Sequence, residues 1–128
     1  MSPALNTVAD DMMYVIEKTF TGQGRRYGGS WAALDEQTIK RKAAKGQDPR
    51  INIATGAMMR AFSLRDSEHQ ILHVLPHSIT LDSDLDYPGY IQDGTDRMPA
   101  RPFIEFYPQD RKLWAKICAE YIAEAMNL

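Results

Sequence analysis

The apolar positions of the first twenty residues recur at helical spacing. Leu5, Val8, Ala9, Met12, Ile16 and Phe20 share one face, with Asp10, Asp11, Glu17 and Lys18 on the solvated side. Ser2 can cap, Pro3 suits the first helical position and Gly22 is a stop, so the pattern predicts a helix over 3–20. A second helix is expected from a Ser30 cap to near Gly46, with Trp31, Leu34, Thr38 and Arg41 on one stripe. Thr55 is placed to cap a short third helix over 56–62, whose apolar contacts are Met58, Met59 and Phe62. The period then switches to two. Segments 70–75 and 78–82 read as the strands of a hairpin turning at Pro76-His77-Ser78, with Ile79 and Leu81 alternating with Thr80. Asp86-Tyr87-Pro88 opens a short helical turn that Gly94 ends. Segment 101–106 is a further strand candidate, restricted to an edge or a strand start by Pro102. The strongest pattern comes last. Trp114, Ile117, Cys118, Tyr121, Ile122 and Ala125 follow the i, i+3, i+4, i+7 rule and predict a helix over 109–126.

Helices, then strands, then a helix indicate the α+β class. A chain of 128 residues suits a single domain with a modest core. Its 44% hydrophobic and 25% charged residues are ordinary for a soluble globular protein. No apolar run has the length of a bilayer span, and no secretory signal opens the sequence, so cytoplasmic synthesis and no membrane partner are expected. Cys118 is the sole cysteine, which rules out an internal disulfide and suits a reducing compartment.

Candidate chemistry is sparse. His69, His73 and His77 recur every four residues, a metal-binding spacing on a helix, but the segment reads as strand, where the rise holds them apart. Asp82, Asp84, Asp86 and Asp93 imitate a calcium loop, yet Tyr87 occupies the position that needs glycine. Cys118 falls on an apolar stripe and the serines show no nucleophile elbow. No metal, cofactor or catalytic set is expected, and a metal-dependent hydrolase has only the His and Asp spacings behind it.

Charge is more informative. Net charge is only −2, so the bulk value does not single out a nucleic-acid binder. Its distribution is uneven: residues 25–60 carry eight basic and three acidic side chains, whereas 66–96 carry seven acids and no Lys or Arg. Two solvated surfaces of opposite sign are one reading. The other is a head-to-tail contact, in which the basic half of one copy meets the acidic half of the next, a geometry that closes rings. Residues 21–29 hold four glycines and Arg25-Arg26-Tyr27, which read as a flexible loop or as an arm ordering on a partner or on DNA phosphates. No Gly-Lys-Ser/Thr follows, so it is not a Walker loop.

The stiffest stretch is Met98-Pro99-Ala100-Arg101-Pro102-Phe103. Each proline fixes φ and biases the residue before it toward extended conformations, so Arg101 sits on a rigid spacer with Phe103 poised for a core. Together with Tyr87-Pro88-Gly89-Tyr90-Ile91-Gln92-Asp93-Gly94, this run resembles the signature of the tailed-phage virion morphogenesis, or tail completion, family. The matching positions are Tyr87, Gln92, Gly94, Pro99, Ala100, Arg101, Pro102 and Phe103; Ile91 stands where a histidine is usual and Asp93 where an apolar residue is usual. Trp31-Ala32-Ala33-Leu34 with Thr38, and Thr55-Gly56-Ala57-Met58, fit in the same order and spacing.

The resemblance implies a small antiparallel sheet with long N-terminal and C-terminal helices packed on one side. It implies a structural, non-enzymatic virion protein, assembled in host cytoplasm, that acts at the head-proximal tail end or neck in tail completion, tail termination or head–tail joining. The expected partners are further copies in a ring, tail tube, terminator or connector proteins, and genomic DNA through Arg25, Arg26 and the basic 25–50 region. The alternatives are a DNA-contacting neck or connector module using the basic 25–50 region, and a morphogenesis factor absent from the finished particle. In this reading Phe103 anchors the spacer, and Arg101 pairs with Asp93 or Asp96 in its own chain or a neighbour's. Contacts between subunits or partners fall to Arg101, Phe103, Tyr90, Asp93, Asp96, Lys40, Arg41, Lys42 and Lys45.

Overall fold

A computed structural model describes residues 2–25, 29–53 and 56–126 of the chain. Helix α1 runs over Ser2–Thr21. Its buried stripe, which includes Val8, Ala9, Met13, Ile16 and Phe20, follows the predicted face, with Leu5 and Met12 half-buried at its edge. The helix ends where Gly24 takes φ +82° and donates to the Thr19 carbonyl at 2.8 Å. A Cβ on Gly24 would lie 2.5 Å from the Trp31 ring, so only glycine fits. Two acids of the supposed solvated face are engaged: the Asp11 carboxylate accepts from the Trp114 indole at 2.6 Å, and the Asp10 carboxylate accepts from the Arg65 guanidinium at 2.8 Å.

The second helix differs from the expectation. Helix α2 spans Glu36–Ala44, five residues shorter at its start, because Asp35 rather than Ser30 caps it, accepting from the Thr38 amide at 2.7 Å. Trp31–Leu34 is therefore not helical. Burying Trp31 against Phe20 outweighs the helical period of that stretch. The C-terminus closes near Gly46 as expected: Gly46 and Gln47 donate back to the Ala43 and Lys42 carbonyls. Helix α3, Ala57–Ser63, follows Gly56 and buries Met58, Ala61 and Phe62. Its expected cap, Thr55, lies outside the described residues.

Strands β1 (Gln70–Val74) and β2 (Ile79–Ser83) form an antiparallel hairpin with Leu72 opposite Leu81 and Val74 opposite Ile79. Ile79 and Leu81 are half-buried while Thr80 and Asp82 are exposed, as alternation requires. Helix α4, Pro88–Asp93, starts on its proline and stops at Gly94. The expected strand over 101–106 is absent. Pro102 has no amide to give a ladder, and the amides of Phe103 and Ile104 go instead to the Gln92 side chain. Helix α5, Pro108–Met126, is where the periodicity puts it; Asp110 reaches back to the Tyr107 amide at 2.9 Å to fix its first turn.

The chain is α+β: helices α1 and α3 lie on the hairpin, and α5 packs against α1. The core joins Ile16 and Phe20 of α1, Met58, Ala61 and Phe62 of α3, and Trp31, Ile53 and Phe103 from the connecting segments. Four of these are aromatic. Phe20 meets Trp31 edge-on at 5.7 Å and Phe103 at 5.4 Å, and Phe62 meets Phe103 at 4.9 Å. Each such pair adds about 0.5–1.5 kcal/mol beyond area burial. Phe103 sits between Phe20 and Phe62, and so ties the C-terminal half of the chain to α1 and α3.

Candidate functional site

Two features dominate the surface around this core: a brace built on the 99–104 run, and a basic cleft beside it.

The brace is made of side chains that satisfy backbone. The Gln92 amide oxygen accepts from both Phe103 and Ile104 amides at 3.1 Å, and its nitrogen donates to the Ile104 carbonyl at 2.8 Å. One side chain thus does the work of a neighbouring strand. The Arg101 amide donates to the Ile91 carbonyl, closing the same turn. Gly94 faces it with φ +77°; a Cβ there would come within 2.6 Å of the Ala100 nitrogen. On the other side, the Trp31 indole donates to the Pro102 carbonyl at 2.7 Å, and the Arg101 guanidinium returns two bonds, to Ala32 at 2.8 Å and Ala33 at 3.0 Å. Arg101 therefore does not pair with Asp93 or Asp96 of its own chain. Two peptide carbonyls, which an extended Trp31–Ala33 segment leaves without helical partners, take its place. Phe103, expected among the contact residues, is 1% exposed and offers no surface to a partner; its role is internal. Gln23 and Asn52, both at positive φ, tie the loop around Ile51 and the Arg101 carbonyl into the same unit. The described part of the glycine-rich segment is held here; Arg26 lies outside the described residues, and Arg25 is exposed.

The cleft has a volume of about 300 Å³ and lies between α2, the 47–53 loop, the start of α3 and α4. Its floor is apolar, made of Ile53, Met58 and Ile91. Its rim carries Arg41, Lys42 and Lys45 from α2 and Tyr87 from the start of α4. No carboxylate lines it among the described residues. The half-buried Lys42 ammonium donates to the Arg50 carbonyl. Burial pulls it below the usual lysine range, with the Asp48 charge opposing. Burial, reinforced by the Asp86 charge, pushes the Tyr87 hydroxyl up. Both shifts mark a partly desolvated rim, and at Tyr87 the Asp86 charge adds to burial in disfavouring negative charge, so the attraction for an anion is confined to the α2 side. Lys40 and Ile39 face outward, Ile39 at 52% exposure.

The acidic candidates sit elsewhere. Tyr90 is 62% exposed on α4, with Asp93 exposed one turn on and Asp96 exposed in the following turn. Asp82 accepts from the Ser83 amide, and Asp84 bonds the His69 ring at 2.7 Å. His69 precedes β1, His73 is on its exposed face and His77 is in the turn. Among the described residues no three His, Cys, Asp or Glu side chains are grouped to hold a metal ion. Cys118 is half-buried on α5. No helix among the described residues is long and apolar enough to cross a membrane.

The cations of α2 were legible in the sequence, but the cleft was not. Its floor comes from positions 53, 58 and 91, which no local period links to α2. The roles of Gln23 and Asn52 carried no signal at all, because side chains that bond distant backbone leave no trace in spacing. In comparisons with protein-family models, curated proteins and solved structures, nothing matches this chain.

Proposed function

We propose that this chain is a structural, non-enzymatic phage virion assembly protein that acts at the head-proximal tail end or neck as a ring of identical subunits. One observation carries the reading. The stretches that resemble the tail completion family are far apart in sequence, yet Trp31–Ala33, Gln92–Gly94 and Ala100–Phe103 interlock in a single unit. The positions of that unit hold the 99–104 run at a fixed place, while Thr38, Gly56, Ala57 and Met58 line the cleft beside it. The segregated charge supplies a basic and an acidic face for contacts between copies. Light scattering on the purified protein, alone and with tail-tube or connector proteins, should give a discrete multiple of the protomer mass. A monomer that ignores both would count against a ring. Mass spectrometry of purified virions separates a resident component from a factor that leaves.

A second reading rests on the exposed cations Arg25, Lys40, Arg41 and Lys45. DNA passing through such a ring would meet them, and phosphate contacts would make retention fall steeply with salt. Salt-insensitive retention on duplex DNA removes this contact and leaves the ring reading intact.

A further inference from the structure

We propose that the basic cleft under α2 is a socket for the Tyr90, Asp93 and Asp96 face of a neighbouring copy. This rests on the assembly reading above and specifies which surfaces meet.

The chemistry of the cleft defines its occupant. Cations at the rim call for negative charge, and a floor of Ile53, Met58 and Ile91 calls for an apolar or aromatic group beneath it. A sugar-phosphate backbone would meet the rim and leave the floor uncovered. A tyrosine flanked by carboxylates satisfies both. The chain itself presents that combination with its groups unengaged on α4: Tyr90 is among its most exposed large side chains, and Asp93 and Asp96 are exposed and engaged in no ion pair among the described residues. Tyr14, 55% exposed between Asp10 and Glu17, is the other candidate, but Lys18 lies over its ring and Arg65 pairs with Asp10.

A copy cannot fill its own socket. Tyr87 and Ile91 of the α4 segment line the cleft. At about 100° per residue, Tyr90 lies about 60–100° and Asp93 about 120–160° round the helix from them. The acidic face therefore leaves the molecule in a different direction from the socket, and the resulting contact is head-to-tail. Asp86, which borders Tyr87 in its own chain, is not part of it. Burial of Tyr90 would supply the affinity and the charges the register.

The test uses sedimentation velocity on the full chain and two double variants at exposed positions: a socket variant, Arg41→Ser with Lys45→Ser, and a knob variant, Asp93→Asn with Asp96→Asn. Melting temperature is checked in parallel and should stay close to that of the wild type. Each variant alone should self-associate about tenfold or more weakly than the wild type. An equimolar mixture should form heterodimers and nothing larger, because one intact socket and one intact knob remain per pair. Wild-type assembly that survives unchanged in both variants overturns the socket and leaves the ring reading standing. A wild type that stays monomeric at every concentration, with and without tail proteins, overturns both. Loss of duplex DNA binding in the socket variant, with self-association unchanged, also overturns the proposal and assigns the cleft to nucleic acid.

Discussion

The braced segment and the C-terminal helix are held in opposite ways. Segment 99–104 has no regular structure, yet its groups are satisfied by Gln92, Trp31 and the Ile91 carbonyl, and its central ring is among the most buried in the molecule. Helix α5 is nineteen residues of regular backbone, but Asp110 is its one fully buried side chain. Its expected apolar stripe is only partly covered: Trp114, Ile117, Cys118 and Tyr121 are half-buried, Ile122 is 45% exposed and Ala125 is exposed. Regularity and burial are separate properties. A helix satisfies its own backbone and can stand with little cover, whereas an irregular segment persists only where other groups complete its bonds.

The largest effect should follow from removing the ring at the centre of the brace. Phe103→Ala deletes contacts to Phe20 and Phe62 and leaves a cavity between α1 and α3, a loss of about 3–5 kcal/mol. Domains of this kind have about 5–15 kcal/mol in all, so much of the stability should go. Urea unfolding with an unchanged m-value checks it. A loss under about 1 kcal/mol would mean the segment is not fixed in the core and would undo the contrast with α5.

Next comes the side chain that replaces a strand. Gln92→Ala strands two amides and a carbonyl that are only half-buried, so the loss should be about 2–3 kcal/mol in total. Gln92→Glu keeps an acceptor for the two amides and loses the donor to Ile104, and should recover part of that. Amide hydrogen exchange at Phe103 and Ile104 should rise in the alanine variant more than in the glutamate variant.

These two regions also explain how much the sequence revealed. Helix α5, α1 and the hairpin were legible because an amphipathic period is local and needs no knowledge of the partner surface. What covers α5 was not legible, since the same stripe describes a buried face and a half-covered one. At α2 the period misled. Trp31, Leu34, Thr38 and Arg41 have helical spacing, but Trp31 finds Phe20 and Pro102 only once the chain has folded. A local clue was present: Asp35-Glu36 offers a second cap with an acidic first turn. The prolines rightly marked a rigid path at 99–102, and Phe103 rightly marked its anchor. That Arg101 would grip the carbonyls of Ala32 and Ala33 rather than a carboxylate depends on a contact across 68 residues or more, which spacing cannot encode.

On the other side of the comparison, α5 should be sensitive at one position. The Trp114 indole donates to Asp11 and its ring meets Phe106 edge-on at 4.8 Å. Trp114→Phe keeps an aromatic ring and loses the bond, for about 1 kcal/mol. A loss as large as that of Phe103→Ala would show α5 to be as deeply integrated as the brace.

The last effect lies at the margin of the braced region, in the loop that supplies Ile51 and Asn52. Arg50 makes a fork with Asp48, at 3.0 Å from Nε to Oδ1 and 2.7 Å from Nη2 to Oδ2, and its amide adds a further bond at 2.9 Å. The Arg50 side-chain and backbone bonds hold the Asp48 carboxyl down at about 2, from an ordinary 3.8. A carboxyl lowered by folding contributes stability that is complete above its unfolded value and is lost as pH falls through its folded one. The pair is solvent-exposed, so the contribution is small and screened by salt. Thermal melts of the wild type and Asp48→Asn should therefore differ at about pH 5 and converge as the pH is lowered toward about 2. Parallel curves across that window would mean the fork does not form in solution, and that the loop is held by Lys42, Gln23 and Asn52 instead.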